Sequence, residues 1–119
     1  MFSPQERTEL FQHAADDFPN VTVLPFTGLM VEFAQRMGAQ VVIRGLRAGR
    51  DFENEFEMAL MNKKLVPSVE AVYMMTSLEW QFLSSTRVKE LAQLGANVAD
   101  LVPSHVAAAL RSRLKNATL

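Results

Sequence analysis

The sequence predicts an α/β fold, a Rossmann-like parallel sheet with helices on both faces. Two observations predict it. Short β-branched or apolar runs alternate with amphipathic helical stretches, in the order α-β-α-β-α-β-α-α. The run around Val41-Val42-Ile43 is also apolar on both faces, as a parallel strand covered from above and below must be. Connections of this kind imply right-handed crossovers.

Each element has its own signal. Ser3 is placed to cap a first helix, with Pro4 at the first helical position and Glu6 completing a capping box. Leu10, Phe11, Ala14 and Ala15 then share a face, until Asp16, Asp17, Pro19 and Asn20 stop the helix. Val21 to Phe26 is a short β-branched run ending at a turn, and reads as a first strand. Leu29, Met30, Phe33, Ala34 and Met37 fall at helical spacing, closed by Gly38. Gln40 to Arg44 reads as a second strand. Asp51 to Lys64 is a helix with acids in its first turns and lysines in its last, its apolar side made by Phe52, Phe56, Ala59, Leu60 and Met61. Ala71 to Met75 reads as a third strand. Ser84-Ser85-Thr86 opens a helix that Gly95 stops, and Pro103-Ser104 opens the last, with Val106, Ala109, Leu110 and Leu114 inward.

Composition bounds the function. A chain of 119 residues is expected to form one domain, and 49% hydrophobic residues suffice for a core without disulfide or metal staples. The formal net charge of −1 gives no basic field for nucleic acid or an anionic membrane. Any phosphate binding must therefore come from local arginines rather than bulk charge. The absence of cysteine, of a signal peptide and of a membrane-length apolar run fits a cytoplasmic domain. A sheet of this kind usually places its first strand centrally, whereas this chain opens on a helix. The expectation is a fold lacking its opening βα unit.

Ligands in such sheets sit beyond the carboxyl ends of the strands, and two segments there carry chemistry. Arg44-Gly45-Leu46-Arg47 follows the second strand. Guanidinium groups there suit phosphate oxygens, and Gly45 lets the backbone approach a ligand. The same arginines could instead pair with Asp51, Glu53 or Glu55 just downstream. Trp80-Gln81-Phe82-Leu83-Ser84-Ser85-Thr86 enters a helix with more hydroxyls than one cap requires. Together with free N–H groups, and with Arg87 and Lys89 nearby, it makes an anion site; an ordinary cap is the alternative. Trp80 suits a nucleobase or a packed interior. His13 and His105 read as solvated surface residues, and Met58, Met61, Met74 and Met75 as core filler. Two histidines and no cysteine offer no transition-metal set, and no Ser-His-Asp arrangement can be assembled.

Ile43-Arg44-Gly45-Leu46-Arg47, Asp51-Phe52-Glu53-Asn54-Glu55 and Met61-Asn62 resemble the central block of the bacterial phosphopantetheine adenylyltransferases. Glu79 to Glu90 resembles their second block, and the similarity runs from Phe2-Ser3-Pro4-Gln5-Glu6-Arg7 to Val102-Pro103, Val106 and Leu110. The family transfers the adenylyl group of ATP to 4′-phosphopantetheine, giving dephospho-coenzyme A and pyrophosphate, with Mg2+. The resemblance implies that Met30 and Arg44 contact the pantetheine arm or its phosphate. It implies that Gly45, Leu46, Arg47 and Glu55 hold the nucleotide, and that Trp80, Gln81, Phe82, Leu83, Ser84, Ser85 and Thr86 cradle the ATP phosphates. It also implies a homo-oligomer, a hexamer on the family's pattern, with coenzyme A as a feedback ligand. The family's Thr-Phe-Asp-Pro-like loop and Gly-His pair have no counterpart here, so no catalytic residue is expected within these 119 residues. The alternative function is a non-catalytic nucleotide-binding or oligomerising remnant of such an enzyme.

Overall fold

Apolar and β-branched residues at Val41–Leu46 (β1) and Glu70–Met75 (β2) form a parallel pair, with Val41 opposite Glu70, Arg44 opposite Tyr73 and Leu46 opposite Met75. Helix α3 (Gly49–Leu65) joins them, as a parallel connection requires. The computed structural model describes residues 1–47 and 49–115. It divides into a unit of Phe26–Phe82 and a unit of Met1–Pro25 with Leu83–Leu119.

The Phe26–Phe82 unit holds helix α2 (Met30–Arg36), then β1, α3 and β2, and ends in a 3-10 turn at Leu78–Trp80. Gly38, at φ +71°, ends α2 in the left-handed region: its N–H donates to the Gln35 carbonyl, and the Ala39 N–H to that of Ala34. Val31, Ala34, Val66 and Val69 form the buried core, with Val42 of β1 packed on it. Side chains alternate along a strand, so Val42 and Arg44 share the helical side of the sheet with Ala71 and Tyr73. On the other face Val41, Ile43, Val72 and Met74 are each at least 45% exposed.

The sheet has two strands among the described residues. The run 21–26, expected as a further strand, takes no regular secondary structure. A strand exists only by pairing; among the described residues β1 and β2 pair only with each other, and Pro25 lacks the N–H that a ladder would need. The methionines expected as core filler are also exposed: Met58, Met61, Met74 and Met75 all keep 46% or more of their surface.

The other unit is helical. Helix α1 (Pro4–Ala15) opens on the expected capping box: the Ser3 N–H donates to the Glu6 carboxylate at 2.7 Å, and the Glu6 N–H to the Ser3 hydroxyl at 3.2 Å. Helices α4 (Ser85–Gln93) and α5 (Ser104–Lys115) pack around Val88, Val98 and Leu110, with Phe2, Leu83, Ala92, Leu101, Val102 and Val106 against them. Arg113 of α5 pairs with Glu6 of α1 and lies 5.2 Å over the Phe2 ring. Of the two histidines expected at the surface, His13 is exposed and His105 is half-buried. His13 and His105 stack with centroids 4.1 Å apart, and His105 Nε2 lies 2.9 Å from the Leu10 carbonyl oxygen, so that nitrogen carries the proton. No helix of the described residues is long and apolar enough to cross a membrane.

Candidate functional site

Strand β1 runs two residues further than its sequence suggested, because β2 continues to pair with it and the Thr76 N–H bonds the Leu46 carbonyl at 2.8 Å. Arg44, Gly45 and Leu46 therefore lie within the strand, with Arg47 just after it. Gly45 has ordinary extended backbone; an added Cβ would meet only Thr76 Oγ1, at 3.8 Å. Leu46 is buried.

Both arginines find carboxylates on α3. Arg44 donates from Nε to Glu55 Oε2 at 2.9 Å and from Nη2 to Oε1 at 2.5 Å. Arg47 donates from Nε to Asp51 Oδ2 at 2.9 Å, and its backbone N–H reaches the same oxygen at 3.3 Å. Of the readings open for these residues, carboxylate pairing is present. It leaves the guanidinium groups reachable, since the side chains of Arg44 and Arg47 remain 46% and 40% exposed. The electrostatics follow. The Arg44 hydrogen bond holds the Glu55 carboxyl below the usual glutamate range, against a cost of burial, with the arginine's charge adding to it; Arg44 is correspondingly raised by Glu55. Asp51 is lowered first by its hydrogen bond from Arg47.

Arg44 and Glu55 line a cavity of about 510 Å3 in the Phe26–Phe82 unit. Phe26, Met30, Met58 and Leu60 give it apolar surface; Asn62, Tyr73 and the Lys63–Glu70 ion pair give it polar atoms. Met30 and Arg44, singled out together from the sequence, thus share one cavity. Sequence reasoning passed over Tyr73, although it is the chain's single tyrosine, set in an otherwise apolar strand. Its hydroxyl donates to the Glu55 backbone carbonyl at 3.2 Å.

The second segment is divided between the units. Trp80, Gln81 and Phe82 end one, while Leu83, Ser84, Ser85 and Thr86 lead into α4 of the other. Ser84 is the cap, accepting the Arg87 N–H at 3.2 Å. Ser85 and Thr86, exposed in the first turn, have hydroxyls with no partner among the described residues. Trp80 is 40% exposed and Phe82 56%, so neither is core. No group of three or more His, Asp or Glu that could hold a metal occurs among the described residues.

Comparison with known proteins gives this geometry a context. A family model described as cytidylyltransferase-like matches residues 1–91. The chain is 50% identical over 115 residues to a phosphopantetheine adenylyltransferase of Caldanaerobacter subterraneus, covering 97% of this chain and 72% of that protein. It is 48% identical to the one of Thermomicrobium roseum (97% and 69% covered) and 49% to that of Staphylococcus saprophyticus (96% and 71%).

Proposed function

Because the chain belongs to the phosphopantetheine adenylyltransferases, we propose that it transfers the adenylyl group of ATP to 4′-phosphopantetheine, releasing dephospho-coenzyme A and pyrophosphate. One observation carries the reading at residue level: an elongated acceptor with an amide-bearing arm and a phosphate needs apolar walls ending in a cation. The cavity of Met30, Met58 and Arg44 has that character.

The chemistry asks little covalent work of the protein. A phosphate oxygen of the acceptor attacks the α-phosphorus of ATP in line, and pyrophosphate leaves with the electron pair of the broken P–O bond. Positioning and charge neutralisation supply the rate. Arg44 and Met30 orient the acceptor, while Gly45, Leu46, Arg47 and Glu55 hold the nucleotide. The segment Trp80–Thr86 receives the phosphates at the start of α4, where N–H groups and the free hydroxyls of Ser85 and Thr86 suit an anion. Asp51 and Glu55 are already engaged by arginines, so Mg2+ would enter on the phosphates of ATP itself. We further place the enzyme in the cytoplasm as a homo-oligomer, a hexamer on the family's pattern, with coenzyme A competing for the acceptor cavity. The exposed stripe Phe52, Phe56 and Leu60 on α3 supports association of copies.

Pyrophosphate release from ATP and 4′-phosphopantetheine tests the reaction, and sedimentation tests the assembly. Release above a no-acceptor control is the expected result. ATP binding without release would instead favour the non-catalytic reading.

A further inference from the structure

Arg44 and Tyr73 stand directly opposite each other on β1 and β2, so their side chains leave the same face of the sheet. Both reach one residue of α3. Arg44 takes the Glu55 carboxylate through Nε and Nη2, and the Tyr73 hydroxyl donates to the Glu55 backbone carbonyl. That carbonyl lies mid-helix and already accepts an amide of the next turn, so helix formation has no need of the tyrosine bond. What the bond adds is a constraint on how α3 is rotated and seated against the strands.

The pairing of Arg44 is also one-sided. A guanidinium presents two forks: a side fork of Nε and Nη2, and an end fork of Nη1 and Nη2. Glu55 occupies the side fork, and Arg44 makes no other hydrogen bond among the described residues. Holding the side fork fixes the plane of the group, and hence the direction of the fork left over. A long side chain otherwise free to sample rotamers is thereby ordered before a ligand arrives.

We propose that Tyr73 is a positioning residue for phosphate recognition, acting through Glu55 to aim the end fork of Arg44 into the cavity. The inference rests on the reading of that cavity as the acceptor site. It assigns to Tyr73 no contact with substrate; its hydroxyl sets the helix, the helix sets the carboxylate, and the carboxylate sets the arginine.

The test compares two ligands that differ only in the anion, 4′-phosphopantetheine and pantetheine, by calorimetry on the full chain and its Tyr73→Phe variant. Removing one oxygen should weaken phosphopantetheine binding about three- to tenfold, the scale of one ordinary hydrogen bond, and weaken pantetheine binding much less, so that the ratio of the two affinities falls. The Arg44 Nε–H resonance in nitrogen-edited spectra should exchange with solvent faster in the variant. A merely structural tyrosine would lower the melting temperature while the affinity ratio of the two ligands and the Nε–H signal stayed put, and that result overturns the proposal. Glu55→Gln, which keeps shape but loses charge, should move the ratio the same way and serves if Tyr73→Phe folds poorly. Should the wild-type chain bind neither ligand, the acceptor-site reading fails by itself; exchange at the Arg44 Nε–H of the free protein then decides the positioning claim alone.

Discussion

At the scale of single residues, the arginine–carboxylate pairs determine what substitutions do. Replacing Arg44 by Ala removes a cation from the cavity and strands a Glu55 carboxylate that is only 18% exposed. Phosphopantetheine affinity should fall about tenfold or more, as for loss of a charged hydrogen-bonding group. Lysine should not restore it, because an ammonium cannot hold Glu55 through two parallel bonds. Isothermal titration of both variants checks this. The same pair has a pH signature. Glu55 is depressed in the folded chain, first by the hydrogen bond from Arg44, so its contribution is complete above the ordinary glutamate value and is lost as pH falls through the folded value. The stability difference between wild type and Glu55→Gln should therefore hold from pH 7 to about 5 and shrink below about pH 4. Denaturant midpoints across that range measure it, and a difference that grew on acidification would contradict the assignment.

Among elements, helix ends were the legible part of the sequence. The Ser3–Glu6 capping box, the Ser84 cap and the stops at Gly38 and Gly95 are local devices whose partners lie within a few residues, so the chain text contains both halves of each. The run Val21–Phe26 was illegible for the opposite reason. Its strand character is a property of a pairing edge elsewhere, which no local pattern contains. The site divides the same way. The positions of Arg44 and Arg47 could be read from their spacing, and so could the downstream acids; which acid each arginine would take could not, nor could the role of Tyr73, since both depend on how α3 is rotated against the sheet. The hydroxyl run before α4 supports a separable prediction. Ser84→Ala should cost about 1 kcal/mol of stability through the lost cap, with nucleotide binding affected only secondarily. Ser85→Ala with Thr86→Ala should leave the denaturation midpoint nearly unchanged while weakening ATP binding several-fold. If the cap variant alone lost ATP and the double variant did not, the phosphate role of the Ser85 and Thr86 hydroxyls would be wrong.

For the molecule as a whole, most of the buried residues described gather in two clusters with no member in common, one around Val31 and Val66 and one around Val88 and Leu110. Burial in each is small, and many large apolar side chains remain at the surface, among them Ile43 at 66% and Leu94 at 84% exposed. Local opening should follow the clusters. Leu110→Ala, which empties a 2% exposed site, should cost about 2–4 kcal/mol and speed amide exchange in α4 and α5, with β1 and β2 little changed. Val31→Ala should do the reverse. Hydrogen exchange resolved by residue tests both, and uniform acceleration along the chain would refute the partition.

The alignment of β1 with β2 has an implication beyond the sheet. A strand's side chains invert with every single-position slip, so moving β2 by one residue would turn the tyrosine hydroxyl to the opposite surface and bring Val72 or Met74 opposite Arg44. Hydrogen bonds along the ladder would survive such a shift; discrimination between a phosphorylated and an unphosphorylated arm would not. Selectivity for the anion is thus a gauge of strand alignment, and insertions in the 66–69 connection should degrade it well before they unfold the protein.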